Sequence, residues 1–392
     1  MGNLSSLPIR SSRTRDACSP VFIFIALFVL LGASFATVAT WIHFTGVVGW
    51  AWTGAPLALV AGFVGIVFAS FRWQHGFLRW AGKITAGGLG FLNLAMMAAL
   101  ACWLTLGLSR AFGLALNARS VAMLLYGAAV LATIYGLVNA AWLRVTRVTV
   151  RLPNLPVAWT GRTVALVSDI HVGNIRGAGF VRRIVARLNQ LEPAAVFIAG
   201  DMFDGAKVDI INSVQPWAAL KARAGIYFSS GNHDEFNERA PYLAALRQVG
   251  ARVLDNEKVV VEGLQIVGVH DGETRQAAGY QDILRRVGLD RERASVLVAH
   301  QPRNLKIAEE AGLSLQLAGH THAGQFWPWS GLVRKIYGPF SYGLNRFGGL
   351  QVYTSSGAGS WGPPLRVGTR SEIVLLKLEP EIRNPDGEAD AK

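Results

Sequence analysis

The chain is written in two hydrophobic patterns that barely mix. From Ala17 to Phe71 it carries no Asp, Glu, Lys or Arg. A bilayer core needs about 20 apolar helical residues, so this run predicts two membrane spans, roughly Pro20–Trp41 and Pro56–Phe71. Turn residues from Thr45 to Pro56, with Trp50 and Trp52 among them, mark the break between the spans. Two further apolar stretches, Gly87–Leu108 and Val121–Leu143, predict a third and a fourth span. Small residues four apart, Gly32 and Ala36 or Gly136 and Ala140, favour close approach of these helices.

The second pattern begins beyond residue 150. Short apolar runs rich in β-branched residues each end in a polar cluster: Thr163–Ser168 in Asp169-Ile170-His171, Ala195–Ala199 in Gly200-Asp201, and Ile226–Phe228 in Gly231-Asn232-His233-Asp234. Val296–Val298 leads to His300, and Leu313–Leu317 to Gly319-His320-Thr321-His322. Continuous apolar runs of this length predict strands buried on both faces. Amphipathic stretches between them predict helices at Phe180–Leu188, Ala240–Val249, Gln281–Val287 and Asn304–Ala311. Lys258–Val261 and Leu264–Val267 predict a hairpin around a Glu-Gly turn. The expected architecture is a layered α/β domain over residues 151–378, preceded by an all-α membrane domain of four transmembrane helices over 1–150. A polar tail, 379–392, is expected to be disordered.

Charge sharpens this division. Residues 1–150 hold ten basic residues against one acid, Asp16, and residues 151–392 hold 28 against 24, so the net +13 divides into +9 and +4. Arg10, Arg13 and Arg15, then Arg72, Arg79 and Lys83, then Arg144, Arg147 and Arg151 fall on one side of the predicted spans. The loop after the first span has no basic residue, and that after the third has Arg110 and Arg119. This bias places both termini, and the soluble domain, in the cytoplasm at the inner membrane. The modest charge of the soluble half and its lack of a basic stripe argue against nucleic acid as a partner. The two cysteines, Cys18 and Cys102, lie in the apolar half, so no disulfide framework supports the soluble domain. His43 and His75 sit at a span end and in a loop, where a solvated role suffices.

The polar clusters carry five of the eight histidines. They all fall at the carboxyl ends of predicted strands, where open α/β sheets bind ligands. Two cations about 3.5–4 Å apart, clamping the attacking and leaving oxygens, are one solution to phosphoester hydrolysis. Such a site needs oxygen and imidazole ligands and a carboxylate shared between the ions. Asp169, His171, Asp201, Asn232, His300, His320 and His322 supply that set. The lack of cysteine among them disfavours a closed structural zinc site.

In these clusters the chain resembles the calcineurin-like metallophosphoesterases. That family's signature is D-x-H, G-D-x-x-D, G-N-H followed by D or E, a lone His, and G-H-x-H, and every element is intact here over roughly residues 160–378. Gly319–Gln325 and the ending Ser356–Gly359 with Leu365–Gly368 resemble a membrane-attached bacterial branch. That branch is linked to phosphodiesterases and to enzymes that cleave UDP-diacylglucosamine, a lipid A precursor. Ala323 stands where the branch has Gly. The resemblance implies a metallophosphoesterase-type β-sandwich flanked by helices. It also implies two divalent metal ions, Mn, Zn or Fe, with Asp169, His171 and His322 on one, Asn232, His300 and His320 on the other, and Asp201 bridging. A hydroxide held between the ions attacks phosphorus, His233 stabilises developing charge or protonates the leaving group, and Asp234 orients His233.

The expected function is a membrane-anchored phosphohydrolase, a phosphodiesterase or pyrophosphatase whose partners are the lipid bilayer and a phosphoester substrate, a lipid-linked one among the candidates. The alternatives are a nuclease or cyclic-nucleotide phosphodiesterase, or a non-catalytic membrane sensor or scaffold. No G-x-S-x-G elbow or Walker loop supports other chemistry. Asp204 is expected either to cap the following helix or to support the metal shell. His270 suits a turn or a substrate rim, and Arg303 and Asn174 suit substrate phosphate or a solvated role. The aromatic stretch Phe326–Tyr342 is either core packing or an apolar rim against lipid.

Overall fold

The computed structural model describes residues 20–49, 54–70, 73, 76–205, 208–235 and 239–381. The expectations for Arg10, Arg13, Arg15, Cys18, Trp50, Trp52, Arg72, His75 and the tail beyond residue 381 lie outside the described residues. Among the described residues, the amino-terminal part holds four helices: α1 (Pro20–Thr45), α2 (Ala55–Ser70), α3 (Gly76–Ala111) and α4 (Ala118–Ala141). Three of them, over Leu27–Thr45, Gly76–Ala111 and Ala118–Ala141, are long and apolar enough to cross a membrane. The second expected span is a 16-residue apolar helix, α2, about one turn short of a bilayer core. With 36 residues, α3 runs for about 54 Å, well beyond a hydrocarbon core. Its first turns lie against the soluble domain, where the Gly82 Cβ position is 3.7 Å from Asn174 Cβ.

Among the described residues, twelve strands form two six-stranded sheets. In chain order they are β1 (Leu143–Leu152), β2 (Thr163–Val167), β3 (Ala195–Ala199), β4 (Ile226–Ser229), β5 (Ala251–Val253), β6 (Glu257–Val261), β7 (Leu264–Gly268), β8 (Ser295–Val298), β9 (Leu315–Ala318), β10 (Gly343–Phe347), β11 (Leu350–Thr354) and β12 (Ser371–Pro380). The sheet orders are β1-β12-β2-β3-β4-β5 and β10-β11-β9-β8-β7-β6. β2 to β5 are parallel, as are β7, β8, β9 and β11. Alternation along each strand sorts side chains between layers. Val164, Leu166 and Phe197 face Ile266, Val296 and Leu315 between the sheets. Ala165, Val167, Val196 and Ile198 pack outward against the helix Ala178–Leu191. Val267 and Leu297 pack outward against Ala277–Val287. The result is helix, sheet, sheet, helix, and it explains why these strands read as unbroken apolar runs.

Two differences from the sequence expectation concern the join between the halves. β1 begins at Leu143, two residues after α4, and pairs in parallel with β12 along its whole length, so it straddles the expected division at 150/151. Its run of Arg and Thr alternating with apolar residues reads as a basic connection until the partner strand is known. β12 also takes in residues 379 and 380, which the sequence assigned to the tail.

Gly136 packs onto the soluble domain rather than a neighbouring helix: a Cβ there meets Leu365 Cδ1 at 2.6 Å. Leu365 is fully buried among side chains of α3 and α4, with Phe326 beside it. The Gly136 carbonyl accepts from the Arg366 N–H at 3.0 Å. Asn139 donates to the carbonyls of Arg366 and Thr369 at 2.8 and 2.9 Å. The Ala140 carbonyl accepts from Arg176 Nη2 and Ser371 Oγ, each at 3.0 Å.

Phe197 is buried between the sheets and stacks on Tyr227 at 5.6 Å, so Phe197→Ala is expected to cost about 3–5 kcal/mol. Thermal unfolding of the detergent-solubilised chain should show a clear drop for this variant and little change for Val260→Ala, which alters an exposed position on β6.

Candidate metal centre

Five strands, β2, β3, β4, β8 and β9, end on one side of the sandwich, and the loops that leave them converge. Asp169, His171 and His322 place one ligand atom each within 4.8 Å of one another, and so do Asp201, His300 and His320. Asp201 joins the two groups: its Oδ2 lies 3.2 Å from His300 Nε2 and 3.8 Å from His171 Nε2. His171 Nε2 is 3.1 Å from His322 Nε2, and His300 Nε2 is 3.3 Å from His320 Nδ1. His322 Nε2 is 3.5 Å from Asp169 Oδ1. Of the sequence-predicted residues Asp169, Asp201, His171, His300 and His322 are buried, and Asn232, His233 and His320 are half-buried.

The backbone is bent to make this possible. Asp169, His171, Asp201, His320 and His322 all have φ between 48° and 70°, the left-handed region that costs a non-glycine residue of order 1–3 kcal/mol. Two glycines permit the packing behind them. Gly200 has φ 76°, and a Cβ there meets Gly231 N at 2.6 Å. A Cβ on Gly231 meets the Asp201 backbone N at 2.5 Å. The G-D and G-N pairs of the sequence therefore mark two loops in backbone contact.

Hydrogen bonds fix the rings. His300 Nδ1–H donates to the Ala199 carbonyl at 2.8 Å, which turns Nε2 towards Asp201. The Arg366 guanidinium, which can only donate, lies 3.3 Å from His322 Nδ1 and also reaches the carbonyls of Ser356 and Gly359 at 2.5 and 2.7 Å. The Asp169 carboxylate accepts from the His320 N–H. His233 is tied at both ends: its N–H donates to Asp201 Oδ1 at 2.9 Å, and its Nδ1–H donates to the Asp204 carbonyl at 3.4 Å.

Asp234 does not orient His233. Its buried carboxylate accepts from the backbone N–H groups of Asp201, Phe203 and Gly231 at 2.9, 3.0 and 2.8 Å, clamping the loops after β3 and β4 together. Asp204 is not the helix cap either, since Asp209 caps the helix Ile210–Val214 through the Asn212 N–H. His270 pairs with Glu235 at 2.6 Å and accepts from the Gly272 N–H, a turn role. Arg303 donates to the Tyr337 hydroxyl at 3.2 Å.

Electrostatics set the site apart from the surface. Burial alone acts to raise the Asp201 pKa, but the His300 charge and hydrogen bond outweigh it and hold the carboxyl well below the usual range. Burial acts to lower His300, and Asp201 reverses this, so His300 is raised well above an ordinary histidine. Burial pushes Asp169 up to about 6, and burial with the Asp201 charge pushes Asp234 up to about 7. Burial lowers His171 to about 3; burial, then the His300 charge, lowers His320 to about 3. His322 is driven well down by burial and by His171, and His233 is lowered by burial. The neutral imidazoles of His171, His320 and His322 facing the Asp169 and Asp201 carboxylates in a buried pocket form a donor set for divalent cations, which His300 joins on losing its proton. One atom tests the fit directly: Asn232 Oδ1 is buried and has no hydrogen-bond donor among the described residues, as suits an oxygen ligand.

Sequence reasoning missed Arg366 as part of this site. Its Leu-Arg-Val-Gly segment is visible in the sequence, yet nothing local predicts a fully buried guanidinium. It also missed Trp361, whose ring is 5.7 Å from His233.

Residues 162–324 match the calcineurin-like phosphoesterase family. An uncharacterized metallophosphoesterase of Helicobacter pylori strain J99 is 35% identical over 222 residues, covering 56% of this chain and 60% of that one. A transmembrane protein with metallophosphoesterase domain from Danio rerio is 34% identical over 277 residues, covering 67% and 63%. An uncharacterized metallophosphoesterase of Campylobacter jejuni is 32% identical over 239 residues, covering 60% and 63%. The chain thus spans about three fifths of the length of these relatives. The strand-end clusters and the sequence match agree: residues 162–324 of this chain carry a calcineurin-like phosphoesterase domain.

Proposed function

We propose that this chain is a metal-dependent phosphohydrolase seated at a membrane, and that it cleaves a phosphodiester or pyrophosphate bond. The observation that carries the reading is Asp201, whose single oxygen lies within 3.8 Å of imidazole nitrogens from both ligand groups. In this reading Asp169, His171 and His322 hold one divalent cation, Asn232, His300 and His320 hold a second, and Asp201 is shared. Mn, Zn and Fe all suit these donors. Such a pair supplies Lewis-acid stabilisation of phosphoryl oxygens and lowers the pKa of water.

The protein's own groups do the rest. The His233 Nδ1–H donates to the Asp204 carbonyl, and a ring nitrogen of His233 lies within 4.8 Å of ligand atoms of Asp201 and His171. His233 is therefore the group for charge stabilisation or leaving-group protonation. Asp234 is a positioning residue that holds the His233 loop against the Asp201 loop. Arg366 holds His322 in place.

The apolar helices α1, α3 and α4 support a membrane location, and the Lys and Arg bias supports a cytoplasmic catalytic side. A lipid-linked substrate is supported by what surrounds the site. The helix Trp329–Tyr337 places Tyr337 6.2 Å from His320, and its Trp329 Nε1–H donates to Asn93 Oδ1 on α3 at 3.0 Å. Trp327, Trp329, Leu332, Ile336 and Trp361 are exposed there, forming an apolar rim that continues from a membrane helix to the metal ligands.

The first test uses the full chain in detergent, stripped of metal and resupplied with Mn, Zn or Mg, with bis-p-nitrophenyl phosphate as substrate. Metal should restore hydrolysis. Asp201→Asn should lose both bound metal, read by elemental analysis, and activity. His233→Ala should keep its metal and lose about 10²-fold or more in turnover. A folded, metal-loaded chain inert towards diesters, monoesters and pyrophosphates would sink the proposal. In the second test, Leu332→Asn with Ile336→Asn should reduce hydrolysis of a diacyl lipid-linked nucleoside diphosphate in vesicles more than hydrolysis of the soluble diester. Equal losses on both substrates count against a lipid substrate.

A further inference from the structure

A polar cavity lies where α4 meets the soluble domain, and Ala323, next to His322 in the chain, and Ser356 also line it. It has a volume of about 460 Å³ and is lined by Tyr135 and Asn139 from the last two turns of α4, Arg144 from β1, and Tyr342, Thr369 and Arg370 from the soluble domain. The next residue after α4, Trp142, is 61% exposed, and the Arg144 guanidinium sits 4.1 Å over its ring. An exposed tryptophan with a cation at the end of a membrane span marks headgroup depth. The cavity therefore opens where a phospholipid's phosphate would lie.

Its chemistry has two parts. The first is cationic. Arg370 donates to the Tyr342 hydroxyl at 3.1 Å and lies 3.9 Å from the buried Glu372, which offsets one charge. Arg144 has no carboxylate partner among the described residues, so the cavity keeps a net positive charge. Two guanidiniums and a phenol suit phosphate oxygens. The second part is an acceptor. Asn139 is 3% exposed, and its amide nitrogen is fixed by the carbonyls of Arg366 and Thr369. Its Oδ1 is buried and finds no donor among the described residues. Leaving such an acceptor unmet is unfavourable. The matching ligand presents a phosphate and, beside it, a hydroxyl.

We infer that this cavity binds the headgroup of an anionic phospholipid of the phosphatidylglycerol type, with the phosphate on Arg144 and Arg370 and a headgroup hydroxyl towards Asn139. The inference rests on the membrane reading of α4, not on the phosphohydrolase reading. The bound lipid fastens the soluble domain to the bilayer at the same joint where Arg366 and Thr369 are tied to α4.

The test begins with fractionation of cells expressing the full chain. Recovery in the soluble fraction without detergent overturns the membrane reading, and this inference with it. The purified chain in detergent micelles is then titrated with dihexanoyl phosphatidylglycerol, dihexanoyl phosphatidylcholine, glycerol 1-phosphate and inorganic phosphate, with thermal stabilisation as the readout. Phosphatidylglycerol should act at concentrations at least about fivefold lower than phosphatidylcholine. Arg144→Gln and Arg370→Gln should each weaken its effect by about fivefold or more, near 1 kcal/mol. Arg144→Lys, which keeps the charge, should retain most of it. Each variant's melting temperature without lipid establishes that it folds. Equal responses to the two lipids, or glutamine variants that respond like the parent, overturn the site. Inorganic phosphate that matches and displaces phosphatidylglycerol overturns its assignment to a lipid.

Discussion

A carboxylate removed from water must be compensated where it stands, and the Asp201 carboxylate sets that condition for the whole domain. It is 2% exposed, and it is held ionised by His300 on one side while it faces His171 on the other. His300 can do this only because its Nδ1–H is fixed by the carbonyl that ends β3, so the last residue of the strand before Asp201 also aims the imidazole that compensates it. Asp234 completes the arrangement by accepting the Asp201 N–H. The charge is thus served by three segments far apart in sequence, and the two stacked sheets exist at this end to keep those segments in register.

The same economy explains where backbone strain has gathered. Five ligand-type residues, all Asp or His, adopt left-handed φ, a region these side chains enter more readily than most but still at a cost. Each follows a strand whose side chains are buried on both faces, so the strand cannot slip to relieve the turn. Glycines at 200 and 231 allow the turns to touch. The rigidity of a dry, close-packed sandwich is what holds these residues in conformations they would leave on their own.

Much of this was legible because it is local. Strand runs such as Ala195–Ala199, and the polar clusters that end them, carry their signal within five or six residues, and the order of the clusters carries the rest. What was not legible depends on distant partners. β1 is a strand because β12, more than 200 residues later, lies beside it; on its own it is a basic, threonine-rich segment. Asp234 sits next to His233 in sequence, which suggests a pair, yet three backbone N–H groups compete for the carboxylate and win. Gly136 and Ala140 have the spacing of a helix-packing pair, but the surface that meets Gly136 is Leu365. The aromatic stretch after His322 is a helix with one apolar face, and only the position of α3 reveals what it lies beside.

Leu365 and Arg366 are neighbours on the chain with opposite surroundings. Leu365 is embedded among α3 and α4, while Arg366 is embedded beside His322, and the peptide between them is held by the Gly136 carbonyl. A two-residue segment with both side chains buried has no slack. The soluble domain is therefore joined to α4 by packed side chains and a backbone hydrogen bond as well as by the chain itself. One residue, Arg366, thus touches α4 through its backbone and His322 through its side chain.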